Sequence, residues 1–159
     1  MVDFRNPYGL VQLADGGTPR TLTIKARADI SGGYWVNGSS AAGVVSSGAD
    51  SYAASDIEGY PVATVIGSEV IGVATTNIPS GTYGTIVQRG LVIMPCQSGT
   101  RIGSIFSGWP VLAGSAGTVF AAGSNTLKAL GVGPDFTPVG RALTTGGIDG
   151  EYIIVSVNI

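Results

Sequence analysis

The sequence predicts an all-β protein: a compact barrel or sandwich of short strands with an internal duplication, preceded by an extended N-terminal arm. Three observations predict it. Apolar and polar residues alternate along "TLTIKARADI" (21–30), and a similar alternation closes the chain in "EYIIVSVNI" (151–159); period two marks a strand with one buried face. Glycine-rich turn sequences recur every ~8–12 residues, as in small sandwiches and barrels. A helical stripe is offered only by "ADSYAASDIEGY" (49–60), where Ala49, Tyr52, Ala53, Ile57 and Tyr60 roughly share one face.

Taken in order, residues 1–20 form the arm and residues 21–159 a single β domain. In the arm, Pro7, Gly9, Asp15-Gly16-Gly17 and Pro19 interrupt any regular element. Phe4, Tyr8, Leu10, Val11 and Leu13 nevertheless supply apolar anchors, which suits a segment draped over a partner surface better than a solvated tail. In 21–30, Leu22, Ile24, Ala26, Ala28 and Ile30 face one way and Thr23, Lys25, Arg27 and Asp29 the other. "GLVIMP" (90–95) reads as a short apolar strand ended by Pro95. The last strand places Ile153, Val155, Val157 and Ile159 on one side; Tyr152, Ile154 and Ser156 make its other side only partly polar, as in a strand covered on both faces.

The domain reads as two imperfect copies, about 22–94 and 102–159. "VIGVATT" (70–76) followed by "GTYGTIV" (81–87) is echoed by "PVGRALTT" (138–145) followed by "GEYIIVS" (150–156). Upstream, Ile30 and Ile105, Gly33 and Gly108, Tyr34 and Trp109, and Val36 and Val111 match at one spacing of 75 residues. Self-similarity in fixed order is the mark of repeated architecture.

Composition narrows the function. Charged residues are 11% of the 159, against about 25% in average proteins. Glycine, at 26 residues, is about twice its usual share, and mean hydropathy is +0.37. The uncharged run 102–127 is broken by glycines, serines and Pro110, whereas a spanning helix wants ~20 predominantly apolar residues. Apolar surface buried between subunits is the better explanation, so no membrane partner is expected. The N-terminus lacks a basic region followed by an apolar core, so no secretory signal is read. Eight dispersed Lys and Arg give no basic stripe for nucleic acid.

No catalytic, cofactor-binding or metal-binding residue is predicted. The chain has no histidine and a single cysteine, Cys96, which reads as a small buried hydrophobe. Trp35 and Trp109 follow Gly-rich turns and read as aromatic packing or interface residues. The segment "GGIDGEYIIVSVN" (146–158) resembles the uridine-contacting motif of trimeric dUTP pyrophosphatases, with Asp149 and Tyr152 in the catalytic and stacking positions. It departs at Ile153-Ile154, where that family has Arg-Gly, and no Gly-rich, Arg-containing phosphate-binding stretch follows. The expectation is therefore a turn opening a strand, and no enzyme.

"VIGVATTNIPSGTYGTIVQRGLV", "SGWPVLAGSAGTVFAAG" and "PVGRALTTGGIDGEYIIVSVNI" together resemble the head decoration (cement) proteins of tailed bacteriophages, over about residues 60–159 and more loosely over 20–60. The resemblance implies a homotrimer bound to a major capsid protein on the outer surface of a virion, made in the host cytoplasm, without cofactor or catalysis. It implies that the arm, through Phe4, Tyr8, Leu10 and Leu13, contacts the capsid. Two alternatives stay open: a small ligand- or carbohydrate-binding β-barrel using Trp35 or Trp109 as a stacking platform, and a phage tail or fibre component.

Overall fold

The computed structural model describes residues 12–13, 19–38, 57–62, 70–96, 105–121, 138–146 and 151–159. Within them the regular structure is nearly all β, with one 3-10 turn at Ser115–Gly117. The strands are β1 (Gln12–Leu13), β2 (Arg20–Ala26), β3 (Trp35–Asn37), β4 (Glu58–Pro61), β5 (Gly72–Ala74), β6 (Tyr83–Pro95), β7 (Pro110–Ala113), β8 (Val119–Ala121), β9 (Gly140–Ala142) and β10 (Tyr152–Asn158). They belong to one hydrogen-bonded sheet.

That sheet curls back on itself twice. β2 pairs β4, β4 pairs β3, β3 pairs β5, β5 pairs β6, and β6 returns to β2. A ring of five short strands leaves an interior that side chains fill. β6 then continues through Gly90, at φ 143°, into a second ring. There it pairs β10, β10 pairs β9, β9 pairs β7, and β7 pairs β8. A parallel bridge from Val119 to Cys96, just beyond β6, completes the circuit.

The two rings use the same registers. Val36 opposes Gly72 in the first, and Val111 opposes Gly140 in the second. Ala74 opposes Ile86, as Ala142 opposes Val155. Lys25 opposes Tyr83, as Pro95 opposes Tyr152. The mutual backbone hydrogen bonds of Ile30 and Ile78 recur between Ile105 and Gly146. Each "Gly-x-Ala" has one physical reason. A Cβ on Gly72 would sit 2.8 Å from the Val87 carbonyl oxygen, and one on Gly140 would sit 2.6 Å from that of Ser156. Backbone approaches backbone there, and no side chain fits.

Packing repeats with the registers. The first interior holds Ile24, Ala26, Ile30, Val36, Ala74, Ile78 and Ile86. The equivalent positions in the second are Met94, Cys96, Ile105, Val111, Ala142, Gly146 and Val155, and all but the glycine are buried members of the larger core cluster. The glycine is compensated. Ile78 lies where a side chain on Gly84 would go, and in the second ring the bulk has changed strands: Ile153 lies where a side chain on Gly146 would go. One large and one small residue fill the same space in opposite order, which keeps packed volume. On the outside of the first ring, Trp35, Val73 and Val87 line up across three strands and are buried in the same cluster as the second interior. The two rings therefore share a continuous core.

The structure differs from the sequence expectation in three places. Glu58–Pro61 is a strand where a helical stripe was expected; it pairs with both β2 and β3, and a side chain on Gly59 would run into Ile24 and Val36 of the first interior. The rest of that stripe, 49–56, lies outside the described residues. "GLVIMP" is the second half of one 13-residue strand, because Gly90 bends β6 without ending it. Ring two thus takes its first strand from residues expected to belong to the first copy. Strand β2 stops at Ala26, although the alternation runs to Ile30, since residues 27–28 bend to bring Ile30 to Ile78.

Candidate interaction surface

Of the sequence-derived site residues, Phe4, Tyr8 and Leu10 lie outside the described residues. Gln12 and Leu13 pair antiparallel with Val92 and Leu91 of β6, so the root of the arm is part of the sheet. Asp149 also lies outside the described residues, and Tyr152 opens β10, half-buried opposite Pro95.

The two tryptophans are in opposite situations. Trp35 is fully buried on the outer face of the first ring and has no accessible ring surface. A cleft of about 270 Å³ lies beside it, lined in part by Asp29, Ser31 and Tyr34. Trp109 is 37% exposed and stacks edge-on against Phe106, itself 48% exposed, with ring centroids 5.0 Å apart. Their strand registers explain the contrast. The counterpart of Trp109 in the first ring is Tyr34, and that of Trp35 is Pro110.

Local backbone chemistry fixes the exposed aromatic pair. Phe106–Trp109 is a tight turn in which the Trp109 N–H donates to the Phe106 carbonyl (3.0 Å) and Gly108 takes φ 87°. A positive φ at the third turn position selects glycine. The turn is tied to the end of β9: Gly108 N–H donates to Ala142 O (2.7 Å), Ala142 N–H to Trp109 O (2.9 Å), and the Ser107 hydroxyl to Leu143 O (2.8 Å). Arg141 caps the same turn, its guanidinium donating to Gly108 O at 2.6 Å. Leu143, 42% exposed, therefore sits beside the aromatic turn on a backbone held at several points.

The first ring carries the same turn without the apolar cover. Ser31, Tyr34 and Thr75 stand at the positions of Phe106, Trp109 and Leu143. Alignment of the two copies would have exposed the difference, because Phe106 and Leu143 replace hydroxyl residues. Sequence reasoning singled out Trp109 but passed over Phe106, Leu143 and the exposed Ile57.

Reactive groups are sparse among the described residues. Burial, with a smaller contribution from Glu151, pushes the Cys96 thiol up to about 11, so it stays protonated and unreactive near neutral pH. Arg27 and Glu58 form an exposed ion pair at 2.5 Å. The Tyr60 hydroxyl donates to the same carboxylate at 3.0 Å. The Arg27 hydrogen bond holds the Glu58 carboxyl below its usual range. No group of three or more potential metal ligands occurs among the described residues. Among the described residues no helix is long and apolar enough to cross a membrane. The arrangement is suited to surface contact through a stiff aromatic patch.

No protein-family description matches the chain, and no curated protein does. A solved structure does: the N base of the head fiber gp8.5 of bacteriophage phi29, at 13% identity and a TM-score of 0.55, covering 89% of this chain and 95% of that one. At that identity the likeness is one of fold, and it spans nearly the whole of both chains: this chain shares its architecture with a component of a phage head.

Proposed function

We propose that the chain is a structural virion protein that binds the outer surface of a viral capsid as an oligomer, a homotrimer by its sequence resemblance, and stabilises the shell. The observation that carries this is the end-to-end fold match to the base of a phage head fiber. The rest of the molecule agrees with it. A double β ring with short hydrogen-bonded turns presents apolar groups rigidly, and rigid presentation lowers the ordering cost of docking. The arm, with Phe4, Tyr8, Leu10 and Leu13, is the part assigned to the major capsid protein; β1 anchors its root to the body. Three arms on one trimer gain about 10²–10⁴ in avidity over a single arm, so each contact can be weak.

The test is a truncation lacking residues 2–11, which keeps β1. Incubated with mature shells and sedimented, the full chain should pellet with them, while the truncation stays soluble yet keeps its fold and oligomeric state. Equal pelleting of both would remove the arm from the account, and pelleting of neither would remove capsid binding itself.

A second reading is the base of a projecting head fiber, favoured by what the matching structure is. Electron microscopy of decorated shells separates the two, because a fiber base carries a projection and a cement protein lies flat.

A further inference from the structure

Among the described residues the seam between the two rings occurs once, yet both halves of a second such seam are present and exposed. In the seam, the turn between β7 and β8 lies on the aromatic turn of the first ring: a Cβ on Gly117 would sit 3.1 Å from the Tyr34 Cβ and 3.2 Å from the Trp35 carbonyl oxygen. The strand registers give each side its counterpart. Val36 opposes Pro61 as Val111 opposes Ala121, which places Ile57 of the first ring at the position of Gly117. Tyr34 corresponds to Trp109. The contact is head-to-tail, so the chain retains one unused tail, at Ile57, and one unused head, at Trp109.

Both are exposed and apolar. Ile57 is 48% exposed where its counterpart is a glycine. The head carries Phe106, Trp109 and Leu143 where the first ring has Ser31, Tyr34 and Thr75. Large apolar groups thus stand at the two places where the internal seam would continue into another molecule.

We propose that a second copy of this chain occupies the patch: Ile57 of one copy docks on Phe106, Trp109 and Leu143 of the next, extending the internal seam between molecules. This rests on the reading of the protein as an oligomer and specifies its contact. Such an interface is heterologous, joining two different surfaces, and a heterologous contact closes into a ring when its rotation permits. A tryptophan at the centre of a contact, shielded from water by its neighbours, is where association energy concentrates.

The experiment uses the full chain with Ile57→Asp or Trp109→Asp, analysed by sedimentation velocity alone and mixed. The wild type should be oligomeric and each variant monomeric, with association weakened at least about thirtyfold, the range of a hot-spot loss. Mixed one to one, the variants should form a dimer and nothing larger, since one intact tail then meets one intact head. Unchanged circular dichroism guards against unfolding. As a second measurement, Ile57→Cys with Trp109→Cys should give an intermolecular disulfide ladder under mild oxidation, with buried Cys96 silent. Oligomers that survive both substitutions, or variants that do not complement, place the contact elsewhere and leave the oligomer reading intact. A monomeric wild type at high concentration overturns both.

Discussion

The exchange of bulk between the two rings can be tested by moving one ring's solution into the other. In the first ring, Ile78 fills the space beside Gly84; in the second, Gly146 faces Ile153. Gly84→Ile alone forces a side chain against Ile78, whose Cγ2 would lie 2.8 Å from the new Cβ and whose Cγ1 and Cδ1 would lie closer. Overpacking of this kind costs about 1–3 kcal/mol. Ile78→Gly alone opens a cavity in a side chain that is 2% exposed, at about 2–5 kcal/mol for removal of the side chain and about 0.5–1 kcal/mol more for glycine in place of alanine. Together they recreate the arrangement of the second ring, with total volume conserved. The double variant should therefore be more stable than Ile78→Gly, with a coupling of at least about 1.5 kcal/mol, inside the 0.5–3 kcal/mol expected of residues in contact. Urea unfolding of the four proteins at constant m-value measures this, and the milder Gly84→Ala serves if Gly84→Ile fails to fold. Costs that add to within about 0.5 kcal/mol would refute the claim that the two interiors are equivalent.

Other outcomes follow from the same geometry. Cys96 should resist a thiol reagent at pH 8 in the native protein and react fully in denaturant, because burial holds the thiol protonated; fast native labelling would contradict its placement. Acrylamide should quench Trp109 and spare Trp35, so a Trp35→Phe variant loses the protected emission. The Glu58 carboxyl is held low by Arg27 in the folded state. Its contribution is thus present above the unfolded carboxylate value of about 4.3 and lost as pH falls through the lower folded value. The stability difference between wild type and Glu58→Gln, followed by thermal melts, should be constant at neutral pH and vanish in that acid window.

What was legible in the sequence was whatever depends on local pattern. Alternation in 21–30 and 151–159 located β2 and β10, and the echo of "VIGVATT" in "PVGRALTT" marked the segments that hold β5 and β9, because the backbone approach at Gly72 and Gly140 excludes every residue larger than glycine. The matched landmarks at Ile30 and Ile105, or Val36 and Val111, occupy equivalent registers. Features that depend on the partner strand were illegible. Nothing local tells that β6 runs through Gly90 and serves both rings. Glu58–Pro61 has too few residues for a period, and its Gly59 is set by Ile24 from a distant strand. The fates of Trp35 and Trp109 differ because one faces the second core and the other solvent, a difference created by how the rings join. Ile57, Phe106 and Leu143 became informative only once the equivalence of the rings identified their counterparts.

The proposed position of this β body, on the outside of a viral shell, is read out by imaging virions. Cryo-electron microscopy of particles made with and without the gene should show a difference density on the outer capsid surface, at three-fold or quasi-three-fold positions, into which three copies of the double ring fit with their arms toward the shell. Particles identical with and without the gene, or density confined to the tail or the interior, would contradict the account.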